Sequence, residues 1–221
     1  MDVVVNAAVS ADGKLSSRRR ERIAISGTAD FARVDRLRAE ADAVAVGIGT
    51  LLADDPSLTR FDEAHRASVR GDGATPPARV VVDSRCRTPA DAAILEGDPA
   101  TYVLTSEAAP DAARDALSAA GATLVTAGRE RVDLRAAFEH PAADGLDQVM
   151  VEGGGELVFS LFEAGLVDEL SVYVGNVVIG GREAPTLADG RGFVDEFPAL
   201  SLESVERVDD GVVLEWTVTD G

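Results

Sequence analysis

Apolar and polar residues alternate along the chain in blocks that predict strands and helices in turn. Short, almost continuous apolar runs indicate buried strands, and apolar residues recurring every three or four positions indicate helices. The predicted strands cover residues 3–9, 43–46, 80–82, 101–105, 122–126, 148–151 and 169–174. The predicted helices cover residues 28–41, 50–54, 111–120, 133–138 and 155–164. This alternation is typical of α/β proteins with a mostly parallel sheet.

The pattern changes in the last part of the chain. Residues 200–208 and 212–218 alternate between apolar and polar on either side of Asp209-Asp210-Gly211, which predicts an antiparallel hairpin. Upstream, Thr28 is predicted to cap the helix that follows it. The segment 61–77 is polar and rich in glycine and proline, so we predict a surface loop there. We expect a single domain over residues 1–221, built on a mixed, mostly parallel sheet flanked by helices.

The charge balance is strongly acidic. The sequence has 39 acidic and 21 basic residues, a net charge of −18, and Lys14 is its only lysine. Such a charge destabilises a compact chain by self-repulsion. At ~1 M salt the screening length falls to about 3 Å, which removes most of this penalty, so we expect a halophilic, salt-rich cytoplasm. The acidity argues against binding to nucleic acid, since the one basic cluster, 18–22, is short.

Several other classes of protein are disfavoured. Cys86 is the only cysteine, so neither an internal disulfide nor a cysteine zinc cluster is expected. His65 and His140 show no spacing typical of metal ligands, and we predict no metal. No apolar run reaches the roughly 18 residues that a membrane helix needs. The first residues lack the basic region of a signal peptide, so we predict a cytoplasmic protein.

A glycine-rich segment after a predicted strand is the first candidate for chemistry. Glu152-Gly153-Gly154-Gly155-Glu156 leads from the strand into a helix. Glycines allow close approach of a ligand to the main chain, and the start of a helix favours an anionic phosphate. The dinucleotide fingerprint G-x-G-x-x-G is absent, so a tight strand-to-helix turn without a ligand explains this segment equally well.

Three further segments follow predicted strands. In 47–56, Thr50 and Asp54 would share one face of a short helix and could bind ribose hydroxyls, although helix capping explains the spacing too. In 6–14, turn formation alone accounts for Asp12-Gly13. In 82–87, Arg85 and Arg87 could meet a 2′-phosphate, although solvated arginines are commoner.

Taken together and in this order, these segments resemble the reductases of riboflavin biosynthesis. The resemblance is to the archaeal and fungal diaminopyrimidine-phosphate reductases and to the reductase half of the bacterial bifunctional deaminase-reductase. The matching stretches are NAAVSADGK (6–14), LRAEAD (37–42), VGIGTLLADDPSLT (46–59), VVDSR (81–85), VEGGGE (151–156), 164–173 and Gly180-Gly181. The deaminase motif H-x-E…P-C-x-x-C is missing, which favours the stand-alone reductase.

This resemblance implies a dihydrofolate reductase-like fold, NADPH as the cofactor, and usually a homodimer. It places the cofactor contacts at Val9, Thr50, Asp54, Ser84, Gly154, Gly155 and Glu156. It places the substrate contacts at Arg38, Leu58, Arg60 and Glu152. Arg38 and Arg60 would hold the 5-phosphate of the substrate. Glu152 is the candidate catalytic residue, which would bind the polar groups of the substrate or relay a proton to its ring oxygen.

The implied reaction converts the ribosylamino group of a pyrimidine ribose 5-phosphate into a ribitylamino group. Three alternatives remain open at this point. The substrate could be the deaminated uracil compound, the enzyme could be a dihydrofolate reductase, or the chain could be a non-catalytic nucleotide-binding protein. The segments VGIGT (46–50) and DDP (54–56) fit the riboflavin reductases better than dihydrofolate reductase, and the presence of both Arg38 and Glu152 disfavours a protein without activity.

Overall fold

The computed structural model describes residues 1–21 and 23–219, so Arg22 of the basic cluster, Asp220 and Gly221 lie outside the described residues. The chain divides into two compact units. The first unit consists of Met1 and Asp35–Met150, and the second of Asp2–Val34 and Val151–Gly221. The single domain predicted over residues 1–221 stays a prediction.

The predicted helices and strands are confirmed, most of them within two residues at each end. The strands are β1 (Asp2–Val9), β2 (Ala43–Gly47), β3 (Ala78–Val82), β4 (Thr101–Thr105), β5 (Thr123–Thr126), β6 (Gln148–Val151), β7 (Glu169–Val174), β8 (Ala199–Val208) and β9 (Gly211–Thr219). The helices are α1 (Thr28–Glu40), α2 (Ile48–Asp54), α3 (Glu63–Arg70), α4 (Asp111–Ala119), α5 (Leu134–Ala143) and α6 (Gly155–Glu163). Helix α5 extends beyond the predicted 133–138 and carries Pro141 in its last turn.

The first unit is built on parallel strands. β5, β4, β3 and β2 lie side by side in that order, and each neighbouring pair is parallel. All five residues of β2 are buried, as are all five of β4, which is why these strands are almost purely apolar in sequence. A core of apolar residues from the strands, helices and loops of this unit packs around them: Val44, Val46, Ile48, Leu51, Leu58, Val81, Cys86, Ala92, Ile94, Val103, Ala109, Leu117 and Ala122.

The second unit combines parallel and antiparallel pairing. β1 pairs with β7 in parallel, β7 pairs with β9 antiparallel, and β8 and β9 form the predicted hairpin. The order of these strands is β1, β7, β9, β8. Ile25, Tyr173, Val208 and Val213 form a small buried cluster in this unit. The mixed, mostly parallel sheet with a C-terminal hairpin is therefore confirmed.

The predicted cap of α1 is wrong. Thr28 is the first residue of the helix, and the amides of Ala29 and Asp30 donate to a carboxylate oxygen of Asp209, each at 3.1 Å. A carboxylate stabilises this end of the helix because it accepts from otherwise unpaired amides and faces the positive end of the helix dipole. Asp209 lies in the turn between β8 and β9, 180 residues away from Ala29, so helix-start rules applied to the local sequence could not find it.

The predicted loop at 61–77 is also wrong, since α3 occupies part of it. The Asp62 side chain caps this helix by accepting from the amide of His65 at 2.9 Å. The buried residue of this helix is Arg66, whose guanidinium group donates to the carbonyl oxygens of Ala39 and Ala41 at 2.9 and 2.8 Å. The helix is thus anchored by a guanidinium group instead of an apolar face. A search for apolar periodicity misses such a helix.

Candidate functional site

In the first unit, the turn after β2 positions Thr50 and Asp54. Ile48 and Leu51 anchor α2 in the core, while Thr50 is half-buried and Asp54 is exposed. Asp55 ends the helix in a left-handed conformation with φ of 40°, and its carboxylate accepts from the amide of Ala93 at 3.0 Å. A hydroxyl and a carboxylate one helical turn apart are therefore held on a fixed backbone, as ribose recognition would require.

The loop after β3 is organised by a buried carboxylate. Asp83 is 0% exposed and accepts from the amide and the hydroxyl of Thr88 at 2.7 and 2.9 Å. The next residue, Ser84, accepts at its Oγ from the amide of Val132 at 3.1 Å. Its carbonyl oxygen accepts from the hydroxyl of Ser106 at 2.7 Å. Ser84 thus lies where the segments that follow β3, β4 and β5 meet, at the carboxyl ends of parallel strands. Ligands of open α/β sheets bind at such ends.

Two of the predicted substrate residues are brought together in this unit. Asp35 accepts from Arg38 at 3.4 Å and from Arg60 at 2.8 Å, and Arg38 also donates to the carbonyl oxygen of Arg60 at 3.0 Å. The Arg38 side chain is only 17% exposed, whereas that of Arg60 is 75% exposed. The exposed guanidinium group of Arg60 can therefore reach a phosphate while Asp35 holds it.

Leu58, the other predicted substrate residue of this unit, has a buried side chain. It is 7% exposed, belongs to the apolar core and adopts a left-handed backbone with φ of 52°. Cys86 lies in the same core, where burial raises the pKa of its thiol above the ordinary value. A thiol kept protonated in this way is a poor nucleophile, in line with the lack of a nucleophile motif around it.

In the second unit, the glycine segment joins β6 to α6. Gly154 precedes the helix with φ of 95°, a backbone conformation that residues with a side chain rarely adopt. Gly155 opens the helix and is tightly packed. A Cβ atom there would collide with the carbonyl oxygen of Thr186 and lie 2.9 Å from Cβ of Asp189. The backbone of this segment adopts its conformation because residues 154 and 155 have no side chain.

Val9, Glu152 and Glu156 are the remaining predicted site residues of this unit. Val9 ends β1, is 5% exposed, and its carbonyl oxygen accepts from the amide of Gly175 at 2.8 Å. Glu152 is half-buried at the end of β6, and Glu156 is exposed in the first turn of α6. An acidic side chain in the first turn also stabilises the helix through its dipole, apart from any role in binding.

Among the residues that the structure describes, no group of three or more histidine, cysteine, aspartate or glutamate side chains could hold a metal ion. Likewise, no described helix is long and apolar enough to cross a membrane.

With this geometry in view, comparison with known proteins identifies the family. The model of the RibD C-terminal domain matches residues 2–214. The chain belongs to the RibD C-terminal domain family. This confirms the resemblance to the riboflavin reductases that the sequence motifs indicated.

Two archaeal relatives within this family cover almost the whole chain. One, from Archaeoglobus fulgidus, is 45% identical over 95% of this chain and 94% of its own, and is named 2,5-diamino-6-ribosylamino-4(3H)-pyrimidinone 5′-phosphate reductase. A protein of the same name from Methanothermobacter thermautotrophicus is 40% identical over 98% of this chain and 97% of its own. Among solved structures, a pyrimidine reductase-like protein from Corynebacterium diphtheriae has the same fold, with a TM-score of 0.82 at 17% identity, covering 100% of this chain and 92% of that one.

Some residues that shape the site of this RibD-family chain were missed at the sequence level. Asp35 lies three residues before Arg38 on α1, a spacing that alone signals an ion pair on a helix. Asp83 stands within the VVDSR stretch, but nothing in that stretch marks it as buried. The contact of Thr186 and Asp189 with Gly155 joins distant parts of the second unit, and no local pattern signals it.

Proposed function

We propose that this chain is an NADPH-dependent oxidoreductase of riboflavin biosynthesis. It reduces 2,5-diamino-6-ribosylamino-4(3H)-pyrimidinone 5′-phosphate to the ribitylamino compound. The observation that carries this proposal is the 45% identity, over 95% of this chain, to the Archaeoglobus fulgidus protein named as that reductase. The match extends over 94% of that protein as well, so the two chains correspond nearly end to end.

For the cofactor, the proposal assigns the pyrophosphate to Gly154, Gly155 and Glu156. The support is the backbone of this segment, which has no side chains at two successive positions and leads into the first-turn amides of a nine-residue helix. These amides have no partners within the helix and favour an anion. Thr50, Asp54 and Ser84 contribute hydroxyl and carboxylate groups for the ribose and phosphate moieties, and Val9 lines the nicotinamide. When bound, the nicotinamide supplies a hydride.

For the substrate, the proposal assigns the 5-phosphate to Arg38 and Arg60, and it keeps Leu58, whose side chain lies in the core, as a neighbouring substrate position. The shared carboxylate of Asp35 fixes both guanidinium groups before the substrate arrives, which lowers the entropic cost of binding. Hydride addition at C1′ of the opened sugar leaves the former ring oxygen in need of a proton. Glu152 is the acid that delivers this proton, or that holds the polar groups of the substrate while water delivers it.

Preference for NADPH over NADH requires a group that reads the 2′-phosphate. Arg85 and Arg87 both follow Ser84, and their side chains are 60% and 58% exposed. Each lies near a carboxylate: Glu130 is 3.5 Å from Arg85, and Asp83 is 4.0 Å from Arg87. The variants Arg85→Ala and Arg87→Ala distinguish the two candidates. Loss of the arginine that binds the 2′-phosphate should raise KM for NADPH and leave KM for NADH unchanged.

We also infer a homodimer in a salt-rich cytoplasm. The homodimer is supported by the edge strand β8, where Leu200, Leu202 and Val205 are 40%, 54% and 60% exposed. Their partners on β9 are Val218, Trp216 and Leu214, so these side chains form one apolar face of the hairpin. A contiguous exposed apolar face of this kind marks an association surface.

The net charge of −18 supports the halophilic setting. Sedimentation at high salt tests the oligomeric state directly.

One assay in three arms tests the activity. NADPH oxidation is followed at high salt with the diaminopyrimidine ribosyl phosphate, with its deaminated uracil analogue and with dihydrofolate. The proposal predicts the highest kcat/KM with the diaminopyrimidine compound. A higher kcat/KM with the uracil analogue would show that the enzyme acts on the deaminated substrate instead. Activity with dihydrofolate alone, or with none of the three, would overturn the proposal.

A further inference from the structure

A long loop of the second unit follows β7 and contacts both the turn after β1 and the glycine segment. This loop, residues 175–189, is called the strap here. Near its start, the amide of Ala11 donates to the carbonyl oxygen of Val177 at 2.8 Å. Further along, the amide of Leu15 donates to the carbonyl oxygen of Pro185 at 2.9 Å, and Lys14 forms a bridge with Thr186. The strap therefore runs along the turn at residues 10–15.

The middle of the strap is held by one carboxylate. Asp12 Oδ1 accepts from the amide of Ile179 at 3.0 Å, and Asp12 Oδ2 accepts from the amide of Gly180 at 2.8 Å. The hydroxyl of Ser10, a fully buried residue, donates to Asp12 Oδ1 at 2.7 Å. These donors all favour the charged form, and the Ser10 hydrogen bond contributes most to lowering the pKa of Asp12 to about 2. Asp12 thus stays ionised and bonded at every pH at which the enzyme would work.

The far end of the strap packs on the glycine segment. The amide of Asp189 donates to the carbonyl oxygen of Gly155 at 2.9 Å. The carbonyl oxygen of Thr186 occupies the space that a side chain at Gly155 would need. Within the strap, the hydroxyl of Thr186 donates to the carboxylate of Asp189 at 2.9 Å, which ties residues 186 and 189 together. The position of Gly155, and with it the start of α6, depends on where the strap lies.

We propose that Asp12 is a positioning residue for dinucleotide binding. Its carboxylate fixes the 179–180 turn, the turn fixes the strap, and the strap holds the backbone of Gly155 in the conformation that receives the pyrophosphate. This inference rests on the proposed function only in naming the dinucleotide. The mechanical connection from Asp12 to Gly155 can be measured without any ligand.

The test compares Asp12→Asn with a matched control, Asp195→Asn, at an exposed aspartate of the same unit. Both variants remove one negative charge and add no bulk. In Asp12→Asn, an amide NH₂ replaces one acceptor oxygen and faces a backbone N–H group. Amide hydrogen exchange is measured at Ile179, Gly180, Asp189 and Val158, whose amide donates to the carbonyl oxygen of Gly154 at 2.9 Å. NADPH affinity is measured by direct titration. Full steady-state kinetics then give KM for each substrate.

We expect exchange to speed up in Asp12→Asn both at the 179–180 turn and at the distant amides of Val158 and Asp189. The Kd for NADPH should rise about tenfold, the size of losing one charge-assisted hydrogen bond, while KM for the pyrimidine substrate stays within about twofold. The control should match the wild type. Thr186→Val, which loosens only the far end of the strap, should raise the Kd in the same direction without changing exchange at Gly180.

Faster exchange confined to Ile179 and Gly180, with the NADPH Kd unchanged, would overturn the inference, because Asp12 would then be a purely local turn residue. An equal rise in both KM values would overturn it as well, since that indicates general loosening of the unit. If the wild type itself binds no NADPH, the proposed function fails, and the exchange rates at Val158 and Asp189 still decide whether Asp12 controls the segment.

Discussion

The two groups of predicted site residues work in opposite ways. In the first unit, the proposed recognition uses side chains: Arg38 and Arg60 are held by the carboxylate of Asp35. In the second unit, the proposed recognition uses the absence of side chains: Gly154 takes a φ of 95°, and Gly155 leaves room for the carbonyl oxygen of Thr186. We expect Arg38 and Arg60 to be sensitive to loss of charge, and Gly154 and Gly155 to be sensitive to added bulk.

The largest effect is expected at Glu152, the residue that we propose delivers the proton. Glu152→Gln keeps the size and removes the acid. If Glu152 delivers the proton, kcat should fall by about 10²-fold to 10⁴-fold, with little change in KM for NADPH. Steady-state kinetics measure both constants. Unchanged kcat and KM would rule out a role in catalysis or in substrate binding.

A methyl group at position 155 should damage the glycine segment almost as severely. Gly155→Ala forces a Cβ atom against Thr186 and Asp189, and overpacking of this kind costs about 1–3 kcal/mol in the free energy of unfolding. NADPH affinity should fall by more than tenfold. Gly49→Ala is the control for stability, since a Cβ atom there meets nothing within 4 Å. Equal stability of Gly155→Ala and wild type would contradict the shape-dependent half of the comparison.

Loss of a guanidinium group in the first unit should act through the substrate alone. Arg38→Ala and Arg60→Ala should each raise KM for the phosphorylated substrate by about tenfold to a hundredfold, because each removes a charge-assisted contact to the phosphate. Inhibition by inorganic phosphate should weaken in parallel. Arg36→Ala, at an exposed position of the same helix, is the matched control. A rise in KM for NADPH instead of the substrate would assign these arginines to the cofactor.

Salt should stabilise the whole chain by a smaller amount. With a net charge of −18, raising KCl from ~0.15 M to ~1 M shortens the screening length from about 8 to about 3 Å and relieves self-repulsion. The Tm should rise by several degrees. Chloride is preferred to sulfate for this measurement because sulfate strengthens apolar burial in its own right. A Tm that stays constant or falls would argue against adaptation to a salt-rich cytoplasm.

The smallest effect concerns the pH dependence of the Asp12 contacts. The pKa of this carboxyl is lowered from 3.8 to about 2, chiefly by the hydrogen bond from Ser10. Its contribution to stability is therefore complete above about pH 4 and is lost as the pH falls towards about 2. Denaturant unfolding of wild type and Asp12→Asn should differ by a constant amount from pH 7 to 5, and the difference should shrink below about pH 4. A difference that shrinks already near pH 6 would contradict this origin.

Some parts of the fold and of the candidate site could be predicted from the sequence and others could not, for physical reasons. Buried parallel strands such as β2 are continuous apolar runs, so their positions follow from hydropathy alone. The capping of α1 by Asp209 does not, because it depends on a turn 180 residues away. Helix α3 is anchored by the guanidinium of Arg66, and a polar anchor leaves no apolar period. For the site, residue types and their order were predictable, whereas the contacts of Asp35, Asp83 and the strap required three-dimensional structure.

Under the proposed function, a hydride from the nicotinamide reaches C1′ of the ribosylamino group. Transfer of the hydride is followed with NADPH carrying deuterium at the transferable position of the nicotinamide, together with the diaminopyrimidine ribosyl phosphate at high salt. We expect a ribitylamino product with one deuterium, located at C1′ by NMR and mass spectrometry. A product without deuterium, or deuterium found only in tetrahydrofolate when dihydrofolate is offered, would contradict it.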